Sequence, residues 1–265
     1  MIEKAYAKIN LTLEIIGKKD NFHMLESIVV PVNIYDTLKF EKHDEDIVLS
    51  NVEIKDNNIY KAIALFKETY GIKDNVKITL NKKIPIGYGV GGSSADLSAT
   101  LRGLNKLFNV NAPIEELEDL ANALGSDTLF SLHNKRVFIY GRGDKIKFLD
   151  EGEKLKFILI YPKTHLLTKD VFKAYALNKK NNYVGFLNRS MEFILKNLKN
   201  DLLDAACSLS DDLKDLYNKL KDNNLDTNLT GSGPALFIVN PTEEEINKVK
   251  EILKDKIKYE ITEEK

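Results

Sequence analysis

Residues 5–16 alternate between apolar and polar positions. Ile9, Leu11, Leu13 and Ile15 fall on one side, Lys8, Asn10, Thr12 and Glu14 on the other. That two-residue period predicts a strand with one buried face, and it sets Lys8 and Asn10 together on the opposite face. Further strand-like runs are 28–34, 37–41, 47–49 and 76–80. Between the last two the period changes, and Ile59, Ala62, Ile63, Phe66 and Tyr70 form one stripe of a helix over 58–70. A glycine-rich turn at 87–92 leads into a helical pattern over 94–108. Pro113 opens another helix, which runs to 123 and ends at Gly125. Strands are predicted near 136–140 and 155–161, and helices near 169–178, 184–197 and 209–221. A strand near 234–239, a helix near 242–253 and a strand near 257–261 follow. Strands and helices mix without strict alternation, which predicts an α+β fold. The polar stretch Asn178–Tyr183 reads as a surface loop.

Composition narrows the class. The chain has 265 residues, of which 43% are hydrophobic, enough for a sizeable core. Charged residues make up 30% but cancel to −1, so no basic field points to a nucleic-acid polymer. The pairs Lys82-Lys83 and Lys179-Lys180 read as solvated surface. Cys207 is the single cysteine, so neither an internal disulfide nor a CxxC metal pair is available. Apolar runs such as Phe157–Tyr161 fall far short of the ~20 residues that span a bilayer. Met1–Tyr6 lacks an apolar signal core, and a cytoplasmic location is the expectation.

The segment from Pro85 to Asp96 carries the chemistry. Gly87, Gly89, Gly91 and Gly92 remove side chains where backbone must turn tightly and approach a ligand. The helix that follows offers free N–H groups and a partial positive charge, an arrangement suited to phosphate. Ser93 and Ser94 add hydroxyls for phosphate oxygens or a magnesium ion. No Lys follows the glycines, so this is not a Walker A loop. The Gly87-x-Gly89-x-x-Gly92 spacing satisfies the dinucleotide pattern, but a Lys-Lys-Ile-Pro connector precedes it and a second helix follows it.

This loop resembles the second motif of the GHMP kinases. Asn228-Leu-Thr-Gly-Ser-Gly-Pro234 is similar to their third, glycine-rich motif. Ala7–Leu13, Asp20–Leu25 and Leu124–Asp127 resemble three further elements of one branch, whose acceptor alcohol carries a cytidine diphosphate group. The matches keep their order from residue 7 to about 238. Asn21 and Phe22 stand where that branch has Gly and Tyr, Ala95 adds a residue before Asp96, and Leu129 departs from the pattern after Asp127.

The resemblance implies a two-part fold, with an ATP-binding part at 1–150 and a second part at 151–265. It implies ATP and Mg2+ as cofactors, with the phosphates along Gly87–Ser94 and the magnesium near Ser94. Asn58 and Lys61 would lie beside adenine. Asp127 would take the proton of the acceptor hydroxyl, and Lys8 would stabilise the developing negative charge. Asn10 would hydrogen-bond the acceptor. Phe22 and His23 would recognise cytosine, with Phe172 on the opposite face. A monomer or homodimer is expected. The residues alone leave alternatives open: Asp127 as a helix N-cap, Lys8 as a solvated strand lysine, Phe172 as a core aromatic. A GHMP kinase for a different alcohol, or a non-catalytic relative, also remains open at this point.

Overall fold

A single 22-residue strand organises the first half of the molecule. The computed structural model describes residues 1–20, 22–150, 152–177, 182–254 and 256–265. The elements begin with β1 (Ile2–Asn10), β2 (Thr12–Lys19), β3 (Phe22–His43), β4 (Ile47–Ser50), α1 (Ile59–Tyr70) and β5 (Asn75–Asn81). The helices α2 (Gly92–Leu107), α3 (Ile114–Leu124) and α4 (Ser126–His133) follow, then β6 (Val137–Tyr140), β7 (Lys145–Phe148) and β8 (Lys156–Tyr161). The remainder is α5 (Thr168–Leu177), α6 (Met191–Lys196), β9 (Lys199–Asn200), α7 (Leu203–Ser208), α8 (Asp211–Asp222), β10 (Asn228–Leu229), β11 (Leu236–Val239), α9 (Glu243–Leu253) and β12 (Lys258–Glu263).

β3 pairs in turn with β2, β6, β1 and β5, all antiparallel. It is long enough to do so because its middle, Ile28–Val32, is fully buried while both ends reach solvent. β4 adds to β5, β7 to β6 and β9 to β2, giving eight strands. The second sheet runs β10-β11-β8-β12. β8 is its centre, and Phe157–Tyr161 is buried on both faces. Helices α1–α4 cover one face of the first sheet, joined by a core that includes Phe40, Phe66, Ile78, Leu101 and Leu104. The C-terminal helices pack on the second sheet around Ile158, Ile160, Leu213, Leu220 and Leu236. A third apolar cluster includes Ile9 and Ile28 of the first sheet and Phe157, Leu159 and Phe237 of the second. The arrangement is α+β, as expected. No described helix is long and apolar enough to cross a membrane.

Several predictions from pattern need correction. The strand over 5–16 breaks at Leu11 into β1 and β2, and the runs 28–34 and 37–41 are one strand. The helix expected at 184–197 shrinks to α6. Its first part is held open by the buried Glu14 carboxylate, which accepts from the N–H groups of Val184 and Gly185. Gly185 and Asn188 also take positive φ there. Lys82 is not solvated surface: it is buried, while Lys83 is exposed. Lys179-Lys180 and the polar stretch Asn178–Asn181 lie outside the described residues.

Candidate active site

The two glycine-rich segments interlock, backbone against backbone. A Cβ on Gly89 would lie 2.6 Å from the Thr230 carbonyl oxygen, and one on Gly231 would lie 2.7 Å from the Gly89 carbonyl oxygen. Both glycines also have positive φ. No other residue type fits either position without moving the opposite loop. Asn200 fixes the C-terminal loop, its Nδ2 donating to the carbonyls of Leu229 and Gly231 at 2.8 and 2.9 Å. Lys8 N donates to the Val90 carbonyl at 3.0 Å and so ties β1 to the same structure.

This glycine-rich wall separates two cavities. The first, about 240 Å³, is lined by Asn58, Pro85, Lys82 and Asp96 together with the wall from Gly87 to Ser93. The second, about 430 Å³, shares Gly87, Gly89, Gly91, Gly92 and Ser93 and adds Ser94, Lys8, Asn10, Asp127 and Phe172. α2 starts at Gly92, so its free N–H groups open at the boundary between the two. The sequence-predicted residues therefore divide as follows. Asn58 lines the first cavity, whereas Lys61 is exposed and outside its lining. Lys8, Asn10, Asp127 and Phe172 meet in the second.

Lys8 is buried, not solvated. Its Nζ donates to Asn10 Oδ1 and lies 4.0 Å from Asp127 Oδ2. Burial pushes the Lys8 ammonium below its ordinary pKa, and the Asp127 charge opposes that shift. Asn10 is oriented by Ser27, whose Oγ accepts from Nδ2 at 2.7 Å, and by Thr230, whose Oγ1 accepts from Asn10 N at 3.0 Å. Asp127 lies in the first turn of α4 with its side chain half exposed. Gly125 holds the N-cap position, so the capping alternative for Asp127 falls away.

The His23 ring lies 5.0 Å from the Phe172 ring, but neither His23 nor Phe22 is among the described lining residues of the second cavity. Phe22 is exposed at 55%, with the Arg142 guanidinium 5.1 Å from its ring centre.

Sequence reasoning missed two groups. Arg142, Ser126, Thr168 and Ser232 also line the second cavity. Beneath the glycine-rich wall, Lys82 Nζ sits 2.6 Å from Asp36 Oδ2 and 2.7 Å from Asp96 Oδ2. Asp36 Oδ1 accepts from the N–H groups of Lys83 and Ile84. Asp96 Oδ1 is buried with no hydrogen-bond partner among the described residues. Burial, with the neighbouring Asp36 charge adding and Lys82 opposing, pushes the Asp96 carboxyl up to about 7.

The glycine wall gives a direct prediction. Gly89→Ala should loosen the contact with Thr230 and weaken ATP binding roughly 5- to 150-fold, the equivalent of about 1–3 kcal/mol of backbone strain. Calorimetric titration with a non-hydrolysable ATP analogue measures it. An unchanged affinity in the folded variant would mean that the interlock does not shape the nucleotide site.

A glycine-rich loop at a helix N-terminus beside a Lys–Asp pair is the arrangement that a small-molecule phosphotransferase requires, and residues 57–135 match the family model described as GHMP kinases N terminal domain. The 4-diphosphocytidyl-2-C-methyl-D-erythritol kinase of Caldicellulosiruptor saccharolyticus is 34% identical over 252 residues, covering 89% of this chain and 87% of that protein. The chain belongs to the 4-diphosphocytidyl-2-C-methyl-D-erythritol kinase family of the GHMP kinases. Solved structures agree on the fold. A crystal structure of 4-(cytidine 5'-diphospho)-2C-methyl-D-erythritol kinase superposes with a TM-score of 0.84 at 24% identity, covering 100% of both chains. A homoserine kinase from Cytophaga hutchinsonii superposes with a TM-score of 0.70 at 18% identity, covering 100% of this chain and 94% of that one.

Proposed function

We propose that this protein transfers the γ-phosphoryl group of ATP to the 2-hydroxyl of 4-diphosphocytidyl-2-C-methyl-D-erythritol. The observation that carries the reading is the shared glycine-rich wall, with the Lys8–Asp127 pair in the cavity on one side and Asn58 in the cavity on the other. ATP enters the first cavity, and its phosphates lie along Gly87–Ser94 at the start of α2, where the helix end favours anions. The acceptor enters the second cavity, with its cytosine towards His23, Phe22 and Phe172. Asn10, locked by Ser27 and Thr230, orients the acceptor. Asp127 accepts the hydroxyl proton as the oxygen bonds to the γ-phosphorus and the bond to ADP breaks. The Lys8 ammonium stabilises charge on the transferring group. Ser93, which lines both cavities, and Ser94, which lines the second, fit a Mg2+ carried in by the triphosphate; that ion would shield phosphate charge.

ADP release coupled to an absorbance readout tests the reading with three acceptors: the cytidine-linked polyol, homoserine and mevalonate. The cytidine-linked acceptor should lead in kcat/KM by roughly 10²-fold or more, since a site built to bond polar groups rejects ligands that lack them. Equal or better turnover of a simple alcohol would replace this acceptor with another.

A further inference from the structure

The acceptor cavity contains three charged side chains among its described lining residues: Lys8, Asp127 and Arg142. Lys8 and Asp127 face each other at the reacting end. Arg142 is thus the cation of this cavity left for a charge elsewhere on the acceptor. Its pairing with Asp144 is loose, at 3.7 Å, and its side chain is 53% exposed.

The backbone presents Arg142 firmly even though its head is open. It sits in the turn between β6 and β7, where Gly141 and Gly143 both take positive φ. The Asp144 carboxylate closes the turn by accepting from Arg142 N at 2.9 Å. Leu25 N donates to the Gly141 carbonyl at 2.8 Å, fastening the turn to β3 a few residues from Phe22. On the other flank, a Cβ on Gly143 would lie 3.2 Å from Ser126 Cβ, so the turn abuts the start of α4 next to Asp127. The guanidinium itself rests over the Phe22 ring. Arg142 thereby lies between Phe22, outside the cavity lining, and the start of α4 next to Asp127.

We propose that Arg142 binds the diphosphate of a base–diphosphate–alcohol acceptor and so selects acceptors that carry this anionic bridge. The inference rests on the cytidine-linked reading above. Its physical basis is order along the cavity. A ligand with its base at His23 and Phe172 and its hydroxyl at Asp127 must run its diphosphate past the turn at 141–144. A guanidinium offers a planar fork matched to phosphate oxygens. Stacking on Phe22 orients that fork, so Phe22 contributes to diphosphate binding as well as to the base end.

The test separates the base from the bridge. Cytidine and cytidine 5'-diphosphate are titrated calorimetrically into wild type, Arg142→Met and Arg142→Lys, with the ATP site saturated by a non-hydrolysable ATP analogue. Wild type should bind the diphosphate more tightly than the nucleoside. Arg142→Met should weaken the diphosphate roughly 10- to 100-fold, the scale of one charge-assisted contact, and leave cytidine unchanged. Arg142→Lys should fall between them. In turnover, Arg142→Met should raise the KM of the diphosphate-linked acceptor while kcat and the KM for ATP stay put.

If Arg142→Met binds the diphosphate as well as wild type does, the proposal is wrong. Equal losses for cytidine and its diphosphate would also overturn it, leaving Arg142 as a support for the Phe22 ring. If wild type itself shows no preference for cytidine over uridine ligands, the cytidine reading fails. Uridine and uridine 5'-diphosphate, titrated into the same three proteins, then test the clamp alone: it is refuted if they bind wild type alike or if Arg142→Met binds the diphosphate as tightly as wild type.

Discussion

Asp127→Asn is expected to cut turnover by roughly 10²–10⁴-fold, the usual scale for loss of a general base, while ATP and acceptor still bind. The substitution keeps the shape and removes the proton acceptor. Gly125, not Asp127, is the N-cap of α4, and no side-chain cap bond is lost. The fold should therefore tolerate Asn. A second readout distinguishes this from a merely structural defect. Burial depresses the Lys8 pKa and the Asp127 charge holds it up. Without that charge, Lys8 loses its proton at lower pH. The alkaline limb of the residual activity should therefore move to lower pH in the variant if, as proposed, the ammonium form stabilises the transferring charge. Steady-state kcat across pH, together with calorimetric binding of both ligands, measures both effects. Near-normal turnover in a folded variant would remove Asp127 from the chemistry.

The parts of this site that the sequence revealed share one property: their geometry is local. The alternation around Lys8 and Asn10 placed both on one face because the strand period is fixed by the backbone. The run of glycines before a helix marked a candidate anion site because the helix end supplies the N–H groups directly. What stayed hidden depends on partners far along the chain. Asp36 interrupts an apolar run and so reads as a break between two strands. It is in fact fully buried within β3, satisfied by Lys82 and by two backbone N–H groups 47 and 48 residues away. Lys82 reads as surface for the same reason, since both carboxylates that neutralise it are remote. The helix expected from 184 fails because Glu14, about 170 residues earlier, captures the N–H groups at its start. Arg142 acquires meaning only when β3 and α4 close on its turn. Local period and turn chemistry are legible in one sequence; long-range satisfaction of buried charge is not.

The buried triad gives the other large expected effect. Lys82 is the sole cation between two carboxylates among the residues described there, and all three are almost wholly out of solvent. Removing one member of such a group leaves uncompensated charge, which costs about 3–5 kcal/mol. Lys82→Met should show that loss at pH 8, where nothing balances Asp36 and Asp96. At pH 5 the loss should be smaller. The Asp96 carboxyl rises from 3.8 to about 7 in the folded protein. Below the lower value it is protonated in both states, and the folded form carries no penalty from it. As pH rises through the window up to 7, the unfolded chain gives up the proton first, so stability falls. Lys82 limits that fall in the wild type, and its loss should carry the fall on to higher pH. Urea midpoints of wild type, Lys82→Met and Lys82→Met/Asp96→Leu at both pH values test this. The double variant removes one stranded carboxylate and should recover part of the loss at pH 8. The triad also lies directly under the proposed nucleotide site, since a Cβ on Gly92 would come 3.2 Å from Lys82 Nζ. Stranded negative charge there repels a polyphosphate, so Lys82→Met should weaken ATP binding more at pH 8 than at pH 5. A midpoint shift of equal size at both pH values would mean that Lys82 fills space beneath the loop and does not serve as its counter-charge.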